Sequence, residues 1–458
     1  MMENLDVIVI GAGQAGPSIA VRFATAGHKV ALIERGRVGG TCVNTGCMPT
    51  KTLVAAARVA HVARRASDFG VMMAGELTID MQRVGERAHV VTQNARAGLE
   101  AWLKQTDNVK LIRGHAKFVG PHEVQVGGRT FTAPKIFINV GARPRIPEMP
   151  GITQIKFFTS TSILSHAEVP RHLVVIGGSY IGLEFAQMYR RFGAEVTVVE
   201  QGPALIARED EDVSDAIKDI LEREGVSCRL NARCISFRPS PEGIEATLDC
   251  SAGPSKIVAS HVLLAVGRTP NTDDLGVDVA GLMIDEHGFI KVDETLKTNV
   301  SGVWAVGDCN GRGAFTHTAY NDFEIVTANL LDGEERTATE RVRAYALYID
   351  PPLGRVGLTE REARQSGRPL LVSTRPMTRV GRAVERGETA GFMKVIADAE
   401  TKQILGASIL GVEGDEAIHG LIDAMNAQVP YPALEWAVPI HPTVSELIPT
   451  LLRGLAPV

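Results

Sequence analysis

Two cysteines, Cys42 and Cys47, lie five positions apart within the stretch Gly39 to Lys51, which reads GGTCVNTGCMPTK. At that spacing they can close a small disulfide around Val43, Asn44, Thr45 and Gly46, and Gly46 would supply the backbone freedom a tight loop needs. So small a loop stabilises little and is suited to opening and closing. The alternative is a pair of ordinary small buried residues. What surrounds the pair decides between the two. The other cysteines, Cys228, Cys234, Cys250 and Cys309, lack zinc-ligand spacing and read as structural, so no metal site is expected.

The elements that would position the pair begin at the N-terminus. Leu5 to Ile10 is apolar and β-branched, and it runs into Gly11-Ala12-Gly13-Gln14-Ala15-Gly16 and a helical pattern through Ala26. In a strand, glycine turn and helix of this kind Gly11 makes the turn, Gly13 lets the backbone approach a pyrophosphate, and Gly16 lets helix and strand pack closely. A second strand, Lys29 to Ile33, ends in Glu34, whose carboxylate can bond ribose hydroxyls. The design recurs at His172 to Ile176, followed by Gly177-Gly178-Ser179-Tyr180-Ile181-Gly182, a helix to Phe192 and a strand Glu195 to Val199 ending at Glu200. Ser179 stands where the first unit has its middle glycine. Two such units call for two nucleotide cofactors, and the natural redox pair is a flavin dinucleotide with a nicotinamide one. Glu200 would accept the 2'-hydroxyl of NAD and repel a 2'-phosphate, which favours NADH, while Arg208 nearby keeps NADPH open.

Between the units, Thr52 to Arg65 and Ile79 to Lys104 read as a helical insertion, and Val109 to Arg113, Glu123 to Val126 and Lys135 to Val140 as strands. The Pro-rich run Arg143 to Gly151 marks a domain crossing. Leu263 to Asn271 closes the second unit, and Gly302 to Asp308 is a further strand whose Asp308 meets a ribityl chain or caps a helix. From about Arg341, strands at Ala344 to Tyr348, Gly391 to Ala397 and Ile404 to Leu410 mixed with helices indicate a separate α+β domain.

The 458 residues are 45% hydrophobic and 22% charged with a formal net charge of -5, a balance that argues against nucleic acid as a partner. No apolar run reaches the length of about 18 residues needed for a membrane span, and the first strand begins too early to leave room for a signal peptide. A cytoplasmic protein with no membrane partner is expected. In a reducing compartment a bonded cysteine pair points to catalysis.

In order along the chain, GAGQAG, GGTCVNTGCMPTK, GGSYIGLE, AVGRTPN, AVGDC, VGLTE and HPTVSE make this sequence resemble the pyridine nucleotide-disulfide oxidoreductases, the family of dihydrolipoamide dehydrogenase, glutathione reductase and mercuric reductase. The resemblance implies an α/β fold of two Rossmann-like dinucleotide-binding domains plus a C-terminal α+β dimerisation domain. FAD would be bound by residues 1–150 and 281–336, NAD(P)H by 151–280, and the dimer would form through 337–458. Implied cofactor-binding residues are Gly11, Gly13, Gly16, Glu34, Gly40, Thr41, Lys51, Ala116, Gly141, Gly177, Ser179, Tyr180, Gly182, Glu184, Glu200, Gly267, Gly307 and Asp308. Cys47 would be the charge-transfer thiolate against the flavin and Cys42 the interchange thiol. Lys51 would lie near the flavin paired with Glu184, and Tyr180 would gate the nicotinamide side. His441, oriented by Glu446, would move the proton at the partner subunit's cysteines, which makes the enzyme a homodimer.

Electrons would then pass from reduced nicotinamide through FAD to Cys42–Cys47 and on to a small-molecule disulfide or thiophilic acceptor. Glutathione is disfavoured, because the arginine expected five residues after Gly16 is Val21. GGTCVN and GARPRIP resemble mercuric reductases, yet the C-terminal PTLLRGLAPV has no cysteine pair. HPTVSE resembles the dihydrolipoamide dehydrogenase form, whereas AFTHTAYNDFEI, with His317 near the flavin, departs from it. The nearest likeness is to mercuric-reductase-like FAD oxidoreductases. The alternative function is a redox or metal sensor with slow turnover.

Overall fold

Every side chain of Val7–Ile10 is buried, which requires cover on both faces of the strand, the condition of a parallel sheet. The computed structural model describes residues 2–250 and 253–458. In it Val7–Ile10 is the middle of five parallel strands, ordered Val303–Ala305, Lys135–Ile138, Val7–Ile10, Val30–Glu34 and Val109–Arg113. The helix Gly16–Thr25 buries Ile19, Ala20 and Phe23 on this sheet. Phe23 packs on Phe137 with ring centroids 5.2 Å apart, and Phe137 stacks on Trp304 at 5.1 Å. Each such ring stabilises by about 1.5–3 kcal/mol on burial. These rings come from a helix and two strands and hold the later half of the helix on the sheet, while the close approach of Gly16 to Gly11 O fixes its N-terminus at the turn.

The second unit repeats this plan. His172–Ile176, buried throughout, is central in a parallel sheet ordered Phe158–Thr159, His261–Leu264, His172–Ile176, Glu195–Val199 and Val226–Arg229. Each unit carries an antiparallel insert, between the third and fourth strands of its sheet in chain order in the first unit and between the fourth and fifth in the second. In the first the insert is Ala116–Gly120, Glu123–Val126 and Arg129–Thr132; in the second it is Cys234–Ser240, Gly243–Cys250 and Gly253–Ala259. Ala142–Pro144 pairs with Arg268–Pro270 where the chain leaves one unit and comes back.

Ala344–Leu347, Leu353–Gly357, Ile404–Leu410, Phe392–Asp398, Leu370–Pro376 and Ala456–Pro457 form a six-stranded antiparallel sheet, with His419–Asn426 and Ile448–Arg453 packed against it. The expected helical insertion is present as Cys47–Arg64 and Met81–Gln105, the latter capped by Asp80 accepting from the Arg83 amide at 3.1 Å. One apolar core joins this insertion to the second unit and the six-stranded sheet, through Leu53 and Ala57, Leu183 and Phe185, and Leu347 and Leu353.

A charged cluster joins the same three regions. Asp350 accepts from Arg58 at 2.6 Å and Arg191 at 2.5 Å, Arg58 also reaches Glu388 at 2.8 Å, and Arg191 reaches Glu224 at 2.7 Å. Burial alone would raise the Asp350 carboxyl, but the guanidinium of Arg191, then that of Arg58, hold it below its ordinary value. No helix among the described residues is long and apolar enough to cross a membrane.

Candidate active site

The Gly39–Lys51 stretch crosses the first glycine turn. Gly39 is left-handed, with φ +101°, and its amide donates to Ala12 O at 2.8 Å. Two helices follow, Gly40–Asn44 and Cys47–Arg64. The expected tight loop is therefore a short helix carrying Cys42 and a second helix that starts at Cys47 itself. Gly46 is needed for room and not for a left-handed turn: its φ is -133°, and an added Cβ would stand 2.9 Å from Thr41 O. Asn44 Nδ2 fastens the short helix by donating to Val38 O and Gly40 O, both at 2.9 Å.

Both sulfurs are free thiols, the reduced state of the pair. Cys47 Sγ lies 3.2 Å from Thr316 Oγ1. The hydrogen bond from Cys42 is the largest influence on Cys47 and, against partial burial, brings it down to about 6, with Thr316 and Lys51 acting in the same sense. Cys42 is pushed up by the same hydrogen bond, by burial and by the charge on Cys47. The arrangement favours the thiolate on Cys47 and the thiol on Cys42.

One turn along the helix, Lys51 Nζ donates to Glu184 Oε2 at 2.5 Å and lies 4.7 Å over the Tyr348 ring. Glu184 is 5% exposed, and its other oxygen accepts from the Tyr348 amide at 3.1 Å, so the acid is held by two regions and cannot swing away. Tyr180 packs edge-on against Phe315 at 5.8 Å and Tyr345 at 5.5 Å. Asp308 lies in a 3-10 turn, Gly307–Asn310, and makes no cap. Its carboxyl is raised by burial, and Arg268 faces it at 3.4 Å.

These groups open onto one cleft of about 2060 Å³, roughly twice the upper end of about 1,000 Å³ usual for a single small-molecule site. Its walls include Gly11, Gly13, Glu34, Gly40, Thr41, Ala116 and Gly141 from the first unit, Ser179, Tyr180, Glu184 and Gly267 from the second, and Gly307 with Asp308. Gly16, Gly177, Gly182 and Glu200 stay off the wall and shape the turns. A Cβ on Gly16 or Gly182 would stand 2.0 Å from a backbone oxygen of its own turn, and Glu200 accepts from the Gly178 and Gly202 amides at 2.7 and 2.8 Å.

His441 and Glu446 also lie outside this cleft. They bond to each other, Nδ1 to Oε2 at 2.8 Å, with the imidazole 79% exposed. Trp436, Val438 and Ile440 beside them are 82%, 95% and 80% exposed.

Three groups at the site were not anticipated from sequence: Thr316 on Cys47, Asn139, whose Nδ2 donates to Gly11 O at 3.1 Å, and Arg268. A signal existed only for Arg268, within AVGRTPN. Of the remaining cysteines, Cys309 is buried, Cys228 half-buried and Cys234 exposed; the Cys250 side chain lies outside the described residues. Among the described residues, no cluster of three or more His, Cys, Asp or Glu is placed to hold a metal ion.

Residues 5–322 match the family described as pyridine nucleotide-disulphide oxidoreductase, and residues 344–452 match that family's dimerisation domain. The chain is 36% identical over 453 residues to the probable pyridine nucleotide-disulfide oxidoreductase RclA of Escherichia coli, covering 97% of this chain and 98% of the other. It is 34% identical to a dihydrolipoyl dehydrogenase of Thermus scotoductus (97% and 96% covered) and 31% identical to a mercuric reductase of Lysinibacillus sphaericus (91% and 76% covered). The solved Cu(II) complex of the HOCl-induced flavoprotein disulfide reductase RclA from Escherichia coli superposes with a TM-score of 0.89 at 35% identity, covering 99% of both chains. The agreement runs through both nucleotide units and the sulfur-bearing helix, and the chain belongs to the pyridine nucleotide-disulphide oxidoreductase family, as an FAD-dependent oxidoreductase that works between NAD(P)H and a disulfide-type acceptor.

Proposed function

We propose that this protein is a cytoplasmic homodimer that takes electrons from NADH and delivers them, through FAD and Cys42–Cys47, to a small disulfide or thiophilic metal-ion acceptor. The observation that carries the reading is the asymmetry of the sulfurs, with Cys47 lowered to about 6 against Thr316 and Cys42 raised. A thiolate held inside the cleft and a thiol one helix away are the two roles that disulfide exchange divides between its sulfurs.

FAD suits the first unit, where Gly11 and Gly13 bring backbone to the cleft wall beside a helix N-terminus and Gly141 has open space at its Cβ position. When bound, FAD accepts a hydride from nicotinamide and returns the electron pair to a disulfide. The protein's part is position and charge. Cys47 holds the thiolate at the cleft wall, Lys51 holds a cation beside it, and Glu184 keeps that lysine in place. Cys42 presents its sulfur to the acceptor. His441 of the partner subunit, oriented by Glu446, takes the Cys42 proton and gives it to the leaving thiol. The exposed imidazole and its apolar neighbours Trp436, Val438 and Ile440 support a second copy at this end. We divide the chain into FAD-binding residues 1–150 and 281–336, NAD-binding residues 151–280 and dimer-forming residues 337–458. Glu200 at the end of its strand supports NADH over NADPH by repelling a 2'-phosphate.

Anaerobic titration of the holoenzyme with NADH tests this reading. Rapid growth of a long-wavelength charge-transfer band, discharged by lipoamide, glutathione disulfide, Hg(II) or Cu(II), is expected. Slow reduction with no acceptor turnover would instead mark a sensor and overturn the enzyme.

A further inference from the structure

Behind Tyr180 the fold buries a set of charges that the electron relay leaves without a task. Tyr345, on the strand Ala344–Leu347, takes Tyr180 edge-on at 5.5 Å and Phe315 face-on at 5.5 Å, so its ring is the wall against which Tyr180 rests. The Tyr345 hydroxyl donates to Glu209 Oε1. Glu209 is 1% exposed, its carboxyl is raised by burial, and its second oxygen has no hydrogen-bond partner. That oxygen lies 3.8 Å from Nε of Arg355, itself 1% exposed, and none of the three guanidinium nitrogens has a hydrogen-bond partner.

Asp210 offers Arg355 no better terms. Its oxygens already accept from the amides of Glu360 at 2.9 Å and Arg361 at 3.0 Å, and Lys394 approaches at 3.3 Å, while Arg355 stands at 3.8 Å. A buried guanidinium without acceptors and a buried carboxylate oxygen without donors, less than 4 Å apart, are each costly, and a small movement of Glu209 would satisfy both. That movement would release the Tyr345 hydroxyl. Glu209 thus stands between two partners, and the one it holds fixes the wall of the Tyr180 site.

We infer that Tyr345, Glu209 and Arg355 form a latch that positions Tyr180 over the nicotinamide side of the cleft, with Glu209 bonded to Tyr345 when the gate is closed and drawn towards Arg355 when it opens. The inference rests on the reading of Tyr180 as the gate. All three are positioning residues, and none touches the reacting atoms. A closed gate competes with the nicotinamide ring, so apparent affinity falls by the closed fraction, and loosening the latch tightens binding.

The test uses the holoenzyme. Calorimetric titration of the oxidised protein with NAD+ gives binding without turnover, and anaerobic stopped flow gives the NADH concentration for half-maximal flavin reduction. Tyr345→Phe keeps the ring and removes the hydroxyl, and it is expected to lower both values on the order of three- to tenfold while reoxidation by disulfide keeps its rate. Glu209→Gln retains an acceptor for the hydroxyl but loses the charge that Arg355 attracts, so it is expected to favour the closed gate and raise both values. Combined with Tyr180→Ala, Tyr345→Phe should add nothing. If Tyr180→Ala itself leaves NAD+ affinity unchanged, the gate reading fails and takes the latch with it. If Tyr180→Ala acts but Tyr345→Phe does not, or if Tyr345→Phe slows both half-reactions alike, the latch alone is overturned.

Discussion

The two nucleotide units can be laid side by side residue by residue. Gly11 and Gly177 both turn left-handed, at φ +104° and +111°, with an added Cβ 2.2 Å from Asn139 O in one and 2.4 Å from Ala265 O in the other. Gly16 and Gly182 each bring the helix within 2.0 Å, by the same measure, of their own turn's oxygen. Glu34 accepts from the Ala12 and Gly36 amides at 2.7 and 2.6 Å, and Glu200 accepts from those of Gly178 and Gly202 at 2.7 and 2.8 Å. In both, the segment after the acidic residue crosses back over the turn, Gly39 N donating to Ala12 O and Ile206 N to Gly178 O. What each crossing segment then carries differs. The first leads into Cys42 and Cys47; the second leads into Arg208, Glu209 and Asp210, which tie it to the six-stranded sheet. One backbone solution serves two purposes, and chemistry was placed on the crossing segment, not on the turn.

The middle position of the motif marks the same divergence. A Cβ on Gly40 would stand 2.7 Å from Gly13 Cα, and one on Gly13 would stand 3.3 Å from Asn139 Nδ2. The cysteine segment and Asn139 therefore close around Gly13, while Ser179 is exposed.

The comparison breaks most severely at the turns. Gly11→Ala and Gly177→Ala each force a methyl into a carbonyl oxygen from a left-handed backbone, and both should cost several kcal/mol, about 3 or more. They should fail differently. Gly11→Ala protein should lose FAD on gel filtration, whereas Gly177→Ala protein should stay yellow and resist reduction by NADH. Loss of FAD in both would show that the units are not independent.

Asp350 tests what holds the units together. Asp350→Asn leaves Arg191 buried with one carboxylate fewer and should destabilise by about 3–5 kcal/mol in chemical unfolding. Because its folded pKa lies below the unfolded one, the stabilisation is complete above the unfolded value and is lost as pH falls through the folded value. The parent should therefore lose stability on acidification more steeply than the variant.

A smaller effect sharpens the contrast at the middle position. Gly13→Ser should cost about 1–2 kcal/mol and weaken FAD retention, while Ser179→Gly should lie within about 0.5 kcal/mol of the parent with NADH reduction intact. Equal effects would deny that the cysteine segment closes the first turn.

These contrasts also separate what was legible in the sequence from what was not. Gly11, Gly13, Gly16 and Glu34 are legible because a short local run carries strand, turn and acid together, and local sterics dictate the residue types. The repeat at Gly177 to Gly182 made the second unit legible for the same reason. Thr316 could not be read, since nothing local to it announces a thiolate 269 positions earlier in the chain. Asp350 and Arg191, 159 apart, are equally silent until the fold joins them. Around Gly46, a glycine between cysteines suggested a loop, whereas Asn44 fastens Gly40–Asn44 as a short helix despite the weak helix propensity of Thr41 to Asn44, and Gly46 makes room beside Thr41 O. Asp308 read as a possible cap because Gly-Asp after a strand is locally ambiguous, and Arg268 opposite it decides the geometry.

The central claim is the division of labour between the two sulfurs. It is tested most directly by following the thiolate-to-flavin charge-transfer band against pH in the two-electron-reduced parent, whose electrons rest on the cysteine pair, and in the Cys47→Ser and Cys42→Ser proteins with their flavin oxidised. A thiolate lowered to about 6 is present above that pH and protonated below it, so the parent band should persist to neutral pH and fade as the pH drops through about 6. Cys47→Ser should have no band with FAD still bound, and Cys42→Ser should keep one. A band that survives in Cys47→Ser and disappears in Cys42→Ser would contradict the account.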